Sequence, residues 1–328
     1  MAIEWRIALP DEVLAEYAGT RLGQYFTDAR VMYDTQVRGA EIFNQTFGYP
    51  IVGADPHVAV PAYAQAAALG STLVINDDLV PMLTEDGAPN RGDVGRIEIP
   101  ARYLETEVMA RYVRIREEMC AIHGSPVSMG VGLEGPVTTA KLVRGQEFFI
   151  DVYEDPSAAH ALLDICTESY IRFFTEVRKF LGQLCGQSIG IADDFSGLFS
   201  PAAYAEFVQP YHRRIYEALG VEHRSLHSEL LRRDHLKFLS ELKIDSFDPG
   251  QDQYLELADL QEELDPRGIP FWYNVKTVAA LEGTPESLRE EIDIVVSSGT
   301  TRLMAELTPG TPRVNVVAIL EAFLSYGG

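Results

Sequence analysis

Short apolar runs alternate with helical stretches along almost the whole chain, and this alternation constrains the fold more than any other feature. The runs are rich in β-branched and aromatic residues and end at polar, glycine or proline breaks. Eight of them are predicted to be strands, at 49–55, 71–77, 126–132, 188–194, 223–229, 244–250, 270–276 and 301–307. Largely apolar strands are typical of parallel sheets covered by helices on both faces. The pattern predicts an α/β fold, a (β/α)8 TIM barrel, with 1–328 as one domain and an N-terminal helical extension at about 1–48.

The stretches between these runs have the periodicity of amphipathic helices. The clearest lie at 101–122, 157–185, 201–219, 230–242, 284–298 and 314–325. Ser200 and Thr284 each precede a proline, which is typical of a helix start with a capping side chain. The segment 137–187 is longer than one barrel helix needs, so two helices are expected there.

The charge balance is strongly acidic. The chain has 27 Lys and Arg against 49 Asp and Glu, a net charge of -22, which argues against nucleic acid and anionic membranes as partners. Cys120, Cys166 and Cys185 are too few and too scattered for a disulfide framework. The first residues lack the basic and apolar regions of a signal peptide, and no apolar run is long enough to span a membrane. A cytoplasmic location is therefore expected.

Polar residues stand at the predicted strand ends, where barrels of this kind place their active sites. They are Asp55, Asp77, Asp78, Glu134, Asp193, Asp194, His227, Glu229, Asp248, Asn274, Lys276 and Glu306. The set is mainly acidic, and neither a Walker pattern nor a GxGxxG turn accompanies it, so no phosphate cradle is predicted. The adjacent carboxylates of Asp193 and Asp194 suggest substrate binding or catalysis.

Several of these residues allow a purely structural interpretation as well. Asp55 and Asp248 suit turn or helix-capping positions, and Lys276 suits an ion pair as well as a substrate contact. His227 and Glu229 stand two residues apart and would project from the same face of a strand. Burying both without a partner is costly, and one histidine with two carboxylates suits a Zn²⁺ site with an open position.

Four stretches of the chain resemble the uroporphyrinogen decarboxylase superfamily. VINDDLVP (74–81) resembles the motif whose aspartate, here Asp77, binds pyrrole nitrogens. GLEGPVTTAKLVRG (132–145) resembles the family's GP-x-T segment, and ELTPGTPRVNV (306–316) resembles its closing TP-x-x-N run. The strongest match is DDFSGLFSPAAYAEFVQPYHRRI (193–215). The resemblance implies a (β/α)8 barrel.

The chain departs from the decarboxylase branch of this superfamily at its active positions. An Arg-rich segment that would hold substrate carboxylates is missing from residues 1–50. Asp194 replaces the family serine, and the family's histidine in the last strand falls at about Ala305 or Glu306. An octa-anionic tetrapyrrole would therefore meet a mouth lined by carboxylates.

The methyltransferase branch carries an H-x-C pair after the fifth strand and a cysteine in the last strand, all three on zinc. Here the corresponding residues are His227, Glu229 and Glu306, so the resemblance implies a zinc site with carboxylates in place of thiolates. Such a harder site suits the polarisation of an oxygen or nitrogen leaving group.

The predicted function is a zinc-dependent methyltransferase or demethylase that passes a methyl group from a small O- or N-methylated substrate to a corrinoid on a partner protein. The predicted catalytic residues are Asp77, Asp193 and Asp194, and the predicted substrate-binding residues are Asp78, Glu134, Asp248, Tyr273, Asn274 and Lys276. A homodimer is consistent with the family. Two alternatives remain open: a metal-free decarboxylase in which Asp77 binds the developing cation, and a non-catalytic barrel that binds a tetrapyrrole or corrinoid.

Overall fold

The computed structural model of the chain describes residues 2–53, 55–84 and 94–327. Short strands and longer helices alternate through these ranges. The strands are β1 (Glu4–Ala8), β2 (His57–Val58), β3 (Leu73–Val74), β4 (Met82–Leu83), β5 (Ser128–Met129), β6 (Ser188–Ala192), β7 (His223–His227), β8 (Ser246–Asp248), β9 (Tyr273–Val275) and β10 (Arg302–Glu306). An α/β fold with parallel strands, as predicted, is therefore confirmed.

The α-helices cover most of the stretches with helical periodicity. They are α1 (Asp11–Ala18), α2 (Leu22–Tyr25), α3 (Ala29–Phe47), α4 (Ala64–Ala68), α5 (Glu107–His123), α6 (Pro136–Arg144), α7 (Glu147–Glu154), α8 (Pro156–Phe180), α9 (Pro201–Phe207), α10 (Gln209–Leu219), α11 (Lys237–Glu241), α12 (Leu257–Leu264), α13 (Thr277–Glu282), α14 (Pro285–Ser297) and α15 (Arg313–Tyr326). Ser200 and Thr284 cap α9 and α14 as expected, each accepting a hydrogen bond from the third residue beyond it. The segment 137–187 carries three helices, not two, because Gly145 ends α6 and Asp155 breaks the chain before α8.

Parallel pairing links the strands into three groups, β9–β10–β1, β6–β7–β8 and β2–β5. A parallel bridge between Phe247 and Phe271 joins β8 to the segment that leads into β9. The Gly135 amide donates to the Ala192 carbonyl and so joins the segment after β5 to β6. Eight parallel strands therefore follow one another as β2–β5–β6–β7–β8–β9–β10–β1. Within the described ranges no pairing joins β1 to β2, so the sheet is not shown to be closed.

The prediction of a strand at 49–55 is wrong. The strand in this part of the chain is β2, which begins just beyond that stretch. Asn44 on α3 takes up the backbone groups that a strand would need. Its Oδ1 accepts from the Ile51 and Val52 amides, at 2.9 and 3.0 Å, and its Nδ2 donates to the Val52 carbonyl at 2.9 Å. A side chain thus replaces a neighbouring strand as hydrogen-bonding partner.

The strand predicted at 71–77 is reduced to β3, which pairs antiparallel with β4 and stands outside the parallel series. The eighth parallel strand is β1, inside the segment at about 1–48 that was predicted to be helical. Its parallel partner β10 lies almost 300 residues away, so no local pattern announces the pairing. The remainder of this segment is helical, as α1, α2 and α3.

The apolar side chains of the central strands are buried against the helices. Ile191 on β6, Leu226 on β7 and Phe247 on β8 are at most 1% exposed and belong to one large core cluster. Parallel strands in register bring their carboxyl ends together at one edge of the sheet. In the described part of the chain no helix is long and apolar enough to cross a membrane.

Candidate active site at the strand ends

The ends of β6, β7 and β8 lie side by side because the three strands are in register. Ala192 is paired with His227, and His227 is paired with Asp248. Two further backbone bonds continue this register, from the Asp193 amide to the His227 carbonyl and from the Ser228 amide to the Asp248 carbonyl. The residues at and after these ends therefore form one row.

His227 is the centre of this row. Its Nδ1 lies 3.4 Å from Asp248 Oδ2, and its Nε2 lies 3.5 Å from Asp194 Oδ1 and 3.9 Å from Glu229 Oε1. Burial lowers the pKa of His227, but the hydrogen bond to Asp248 and the charges of the three carboxylates raise it to about 9. The imidazole is therefore protonated at neutral pH when no other cation is bound.

Asp248 is fixed from several sides. Its Oδ1 accepts from Asn274 Nδ2 at 2.9 Å and from the Gly250 amide at 3.0 Å, and Arg6 Nη2 lies 3.4 Å from Oδ2. Burial raises the pKa of Asp248, while His227, Gly250 and Asn274 outweigh burial and hold the pKa below its ordinary value. Asp248 thus remains ionised and orients the imidazole, with Nε2 toward the other carboxylates.

Gly250 permits this arrangement because a side chain there would collide with it. Its φ is 55°, and a Cβ would come within 2.5 Å of Glu229 Oε1 and 2.6 Å of His227 Cε1. The adjacent Gln251 amide donates to Glu229 Oε1 at 2.9 Å. The tight turn after β8 therefore sets the position of Glu229 as well as that of Asp248.

Further carboxylates lie within electrostatic range of His227. Burial, followed by the charges of Asp194 and Asp193, raises the pKa of Glu134 to about 8. Burial also raises the pKa of Asp194 to about 6, against the opposing charge of His227. The pKa of Glu306 is raised by burial and then by Glu229. We refer to His227 with Glu134, Asp194, Glu229, Asp248 and Glu306 as the His227 cluster.

The predicted zinc ligands His227, Glu229 and Glu306 all belong to this cluster. Imidazole nitrogen and carboxylate oxygen are donor types that Zn²⁺ accepts. Yet among the residues that the structure describes, no three His, Cys, Asp or Glu side chains are placed so that they could already hold a metal ion. A zinc site at this position would require a carboxylate to move.

Asp193, predicted to be catalytic, is fully buried behind the cluster and does not face the opening. Its carboxylate accepts from the Thr138 amide at 2.7 Å, from the Val137 amide at 3.3 Å and from His212 Nε2 at 2.7 Å. It thereby ties the first turn of α6 and the side of α10 to the end of β6. The structure thus places Asp193 beneath the surface, hydrogen-bonded within the protein, rather than exposed beside His227.

Asp77 and Asp78 lie in the connection between β3 and β4, outside the parallel strand ends. Asp77 Oδ2 lies 3.1 Å from Arg21 Nη1, the Asp77 side chain is 47% exposed, and Asp78 is exposed. Asp55, after the strand predicted at 49–55, is also exposed. The structure therefore does not bring these aspartates into the His227 cluster.

The three residues predicted at β9 and its end, Tyr273, Asn274 and Lys276, do not all face the His227 cluster. Tyr273 points away from the cluster, since its hydroxyl donates to Glu291 Oε1 on α14 at 2.8 Å. Asn274 faces the cluster through Asp248, as the alternation of side chains along a strand requires. Lys276 Nζ donates to the Asp252 carbonyl at 2.5 Å, and burial lowers its pKa against the raising effect of Asp252 and Glu229. Lys276 thus lies beside the cluster, whereas the structure removes Tyr273 from the predicted mouth.

Sequence analysis missed two residues near the site, because one neighbouring strand was not predicted and another was misplaced. Arg6 is on β1, and its guanidinium stacks over Trp272 at 4.3 Å while reaching Asp248. Tyr63 follows β2, and its pKa is raised by burial and then by the charges of Glu134 and Asp194. A correct position for β2 would have directed attention to Tyr63.

A family model described as Uroporphyrinogen decarboxylase (URO-D) matches residues 11–326. A uroporphyrinogen decarboxylase of Xylella fastidiosa is 27% identical over 273 residues, which cover 72% of this chain and 71% of that protein. One of Prochlorococcus marinus is 26% identical over 176 residues, which cover 52% of this chain but only 48% of that protein.

Among solved structures, a methyltransferase from Methanosarcina mazei has a similar fold. The two chains superpose with a TM-score of 0.74 at 18% sequence identity, over 99% of this chain and 94% of that one. At this identity the likeness concerns the fold alone.

Proposed function

Because the chain belongs to the uroporphyrinogen decarboxylase family, we propose that it is an enzyme whose reaction takes place at the His227 cluster. The proposed reaction transfers a methyl group from a small O- or N-methylated substrate to a corrinoid carried by a separate protein. The surroundings of His227 carry the proposal: one imidazole, oriented by Asp248, turns its Nε2 toward Asp194 and Glu229. So many carboxylates favour a bound cation or protons at this place.

Zn²⁺ is the proposed cation, with His227, Glu229 and Glu306 as its ligands. The donor types suit this ion, although one carboxylate has to move to complete the set. When bound, zinc would act as a Lewis acid toward the oxygen or nitrogen that gives up the methyl group.

Four residues of the chain have proposed roles beside the ligands. Asp248 holds the Nδ1 proton of His227 and leaves Nε2 as the nitrogen that would bind the metal. Glu134, whose pKa is raised to about 8, retains its proton at neutral pH and can deliver it to the oxygen or nitrogen that leaves. Lys276 and Asn274 are proposed to line the pocket beside these groups.

Decarboxylation of a small substrate is the second candidate, and the neutral carboxyl of Glu134 favours it. Loss of carbon dioxide leaves a carbanion that has to take up a proton, and a carboxylic acid in the pocket can supply one. The curated relatives are named as uroporphyrinogen decarboxylases, which is the same class of reaction. The carboxylates around His227 favour a less anionic substrate than a tetrapyrrole.

The finer architecture and the setting of the protein are proposals too. We propose that the eight parallel strands close into a (β/α)8 barrel through contact of β1 with β2, and that residues 1–328 form one domain. We further propose a cytoplasmic homodimer with the corrinoid protein as partner and with no nucleic acid bound. A crystal structure would test closure, and light scattering would test the dimer.

Elemental analysis of purified protein tests the proposed function. Zinc at about one ion per chain, lost in His227→Ala and kept in His223→Ala, is the expected result. His223 is a suitable control because it lies at the other end of β7 and is exposed. Metal-free protein that releases carbon dioxide from a candidate substrate would favour the decarboxylase. Binding of a tetrapyrrole or corrinoid without turnover would favour a binding protein and overturn both.

A further inference from the structure

A cavity lies beside the loop that follows β10, between α1, α3 and the start of α15. Its volume is about 420 Å³, within the range of small-molecule sites. We call it the α1–α15 cavity; it is lined by Val13, Glu16, Tyr17, Phe43, Leu307, Thr308, Gly310, Thr311, Pro312, Arg313 and Val316. None of these residues belongs to the His227 cluster.

The floor of the cavity is apolar and rigid. Val13, Phe43, Leu307 and Val316 are each at most 2% exposed. The Tyr17 ring stands edge-on against Phe43, with 4.9 Å between ring centroids. A flat or branched hydrocarbon group of a ligand would therefore meet apolar surface on several sides.

The rim on the side of α15 is fixed before any ligand arrives. Glu16 Oε2 accepts from the Gly310 amide at 3.1 Å and thereby ties the loop after β10 to α1. Thr311 Oγ1 accepts from the Thr308 amide at 3.2 Å and donates to the Thr308 carbonyl at 2.7 Å. A preformed wall lowers the entropic cost of binding.

Arg313 supplies a positive charge at this rim. It is the first residue of α15, a helix of 14 residues, and its side chain is exposed and lines the cavity. Its charge partly offsets the rise in the pKa of Tyr17 that burial causes, which places the guanidinium within range of the Tyr17 hydroxyl. Within the described ranges, Arg313 has no ion pair, whereas Arg289, which lines a neighbouring pocket with it, pairs with Glu321.

From these contacts we infer that the α1–α15 cavity binds a small carboxylate with an apolar body, in which the hydrocarbon part rests on Val13, Phe43 and Val316 and the anion meets Arg313. Arg313 and Glu16 are the charged side chains of the lining, and because the Gly310 amide already donates to the Glu16 carboxylate, the Arg313 guanidinium is left to meet an anion. Leu307 on the cavity floor directly follows Glu306 of the His227 cluster, so the two sites share one wall.

Binding of 4-phenylbutanoate and of its uncharged isostere 4-phenylbutanamide tests the inference. Titration calorimetry on the full-length, chelator-treated protein separates this site from the zinc-dependent reaction. The acid is expected to bind at millimolar concentration or below and on the order of tenfold more tightly than the amide.

Two variants locate the binding. Arg313→Gln is expected to remove the preference for the acid, while Arg38→Gln, an exposed arginine on α3, leaves it unchanged. Tyr17→Ala is expected to weaken the acid and the amide by similar factors, since it removes apolar contact only. No binding of the acid, equal binding of acid and amide, or a preference that survives Arg313→Gln would each overturn the inference.

Discussion

Replacing Asp248 by Asn tests the electrostatic account of the His227 cluster most directly. Asp248 Oδ2 lies 3.4 Å from His227 Nδ1, and both the hydrogen bond and the charge of Asp248 raise the pKa of His227 to about 9. An amide keeps the shape of the side chain but removes its charge. Burial still lowers the pKa of His227 in the variant while the largest raising cause is gone, so we expect the pKa to fall clearly below its wild-type value.

Because the pKa of His227 is raised on folding, the stability of the folded protein depends on pH. The pKa of His227 is about 9 in the folded protein and 6.5 in the unfolded chain, so the folded state binds the proton more tightly. Such a group contributes stability that is fully present below pH 6.5 and is lost as the pH rises through about 9. The difference in pKa corresponds to about 3 kcal/mol at full burial. The His227 side chain is 34% exposed, and solvent screening reduces the expected contribution to about 2 kcal/mol.

Carbon-detected or heteronuclear NMR of the histidine Cε1 signals gives the pKa of His227, assigned by its loss in His227→Gln. Asp245→Asn is a matched control, because Asp245 lies just before β8 and accepts from the Arg224 amide at 2.8 Å, away from His227. Chelator-treated protein is used so that no metal competes with the proton. A His227 that titrates at the same pH in wild type and Asp248→Asn would refute the reasoning, as would a wild-type value near 6.5.

Three further predictions concern stability and can be measured by urea unfolding. Glu134 has a folded pKa of about 8 against an ordinary 4.5, so its ionisation costs stability as the pH rises. Glu134→Gln should therefore gain about 4 kcal/mol on wild type between about pH 5 and about pH 9, and an unchanged difference would contradict this. Gly250→Ala should lower the free energy of unfolding by about 3 kcal/mol, because the new side chain is strained in the left-handed region and collides with its neighbours. Gly268→Ala, where φ is 67° and the space is open, should lower it by only about 1 kcal/mol. Equal losses would show that the collision at Gly250 is relieved. Asp193→Asn should lose about 3 kcal/mol because it disrupts a buried charged network, and a neutral effect would contradict its positioning role.

How much of the fold is predictable from the sequence depends on how local the pairing is. The strands β6, β7 and β8 lie within runs that are apolar and bounded by turns, and these runs were found. The strand β1 was missed because charged and apolar residues alternate at its start. It also pairs with β10, which lies almost 300 residues away. The strand β2 was misplaced by a few residues because the apolar run before it is hydrogen-bonded by the side chain of Asn44.

The candidate site was predictable where residue spacing on one strand decides it. His227 and Glu229 project together, and Asp248 lies beside them because β7 and β8 are in register. Neighbouring residues at a strand end cannot be separated by sequence alone. Asp193 and Asp194 are adjacent, yet Asp193 is fully buried against His212, while Asp194 lies near His227. Burial of that kind depends on α6 and α10, whose packing no local pattern shows.

The protonation states of the cluster decide which ligands it can accept. At neutral pH His227 and Asp248 balance each other, since the pKa of His227 is raised and that of Asp248 is lowered. Glu134 keeps its proton, and Asp194, with a pKa of about 6, is mostly ionised. The pocket therefore remains negative at Asp194, and burial, followed by the charge of Glu229, raises the pKa of Glu306. A cation that binds here relieves the repulsion among the like charges and drives the proton off Glu306, whereas a polyanion increases that repulsion. This charge balance favours a cationic ligand in the pocket over an octa-anionic tetrapyrrole and supports the proposed function.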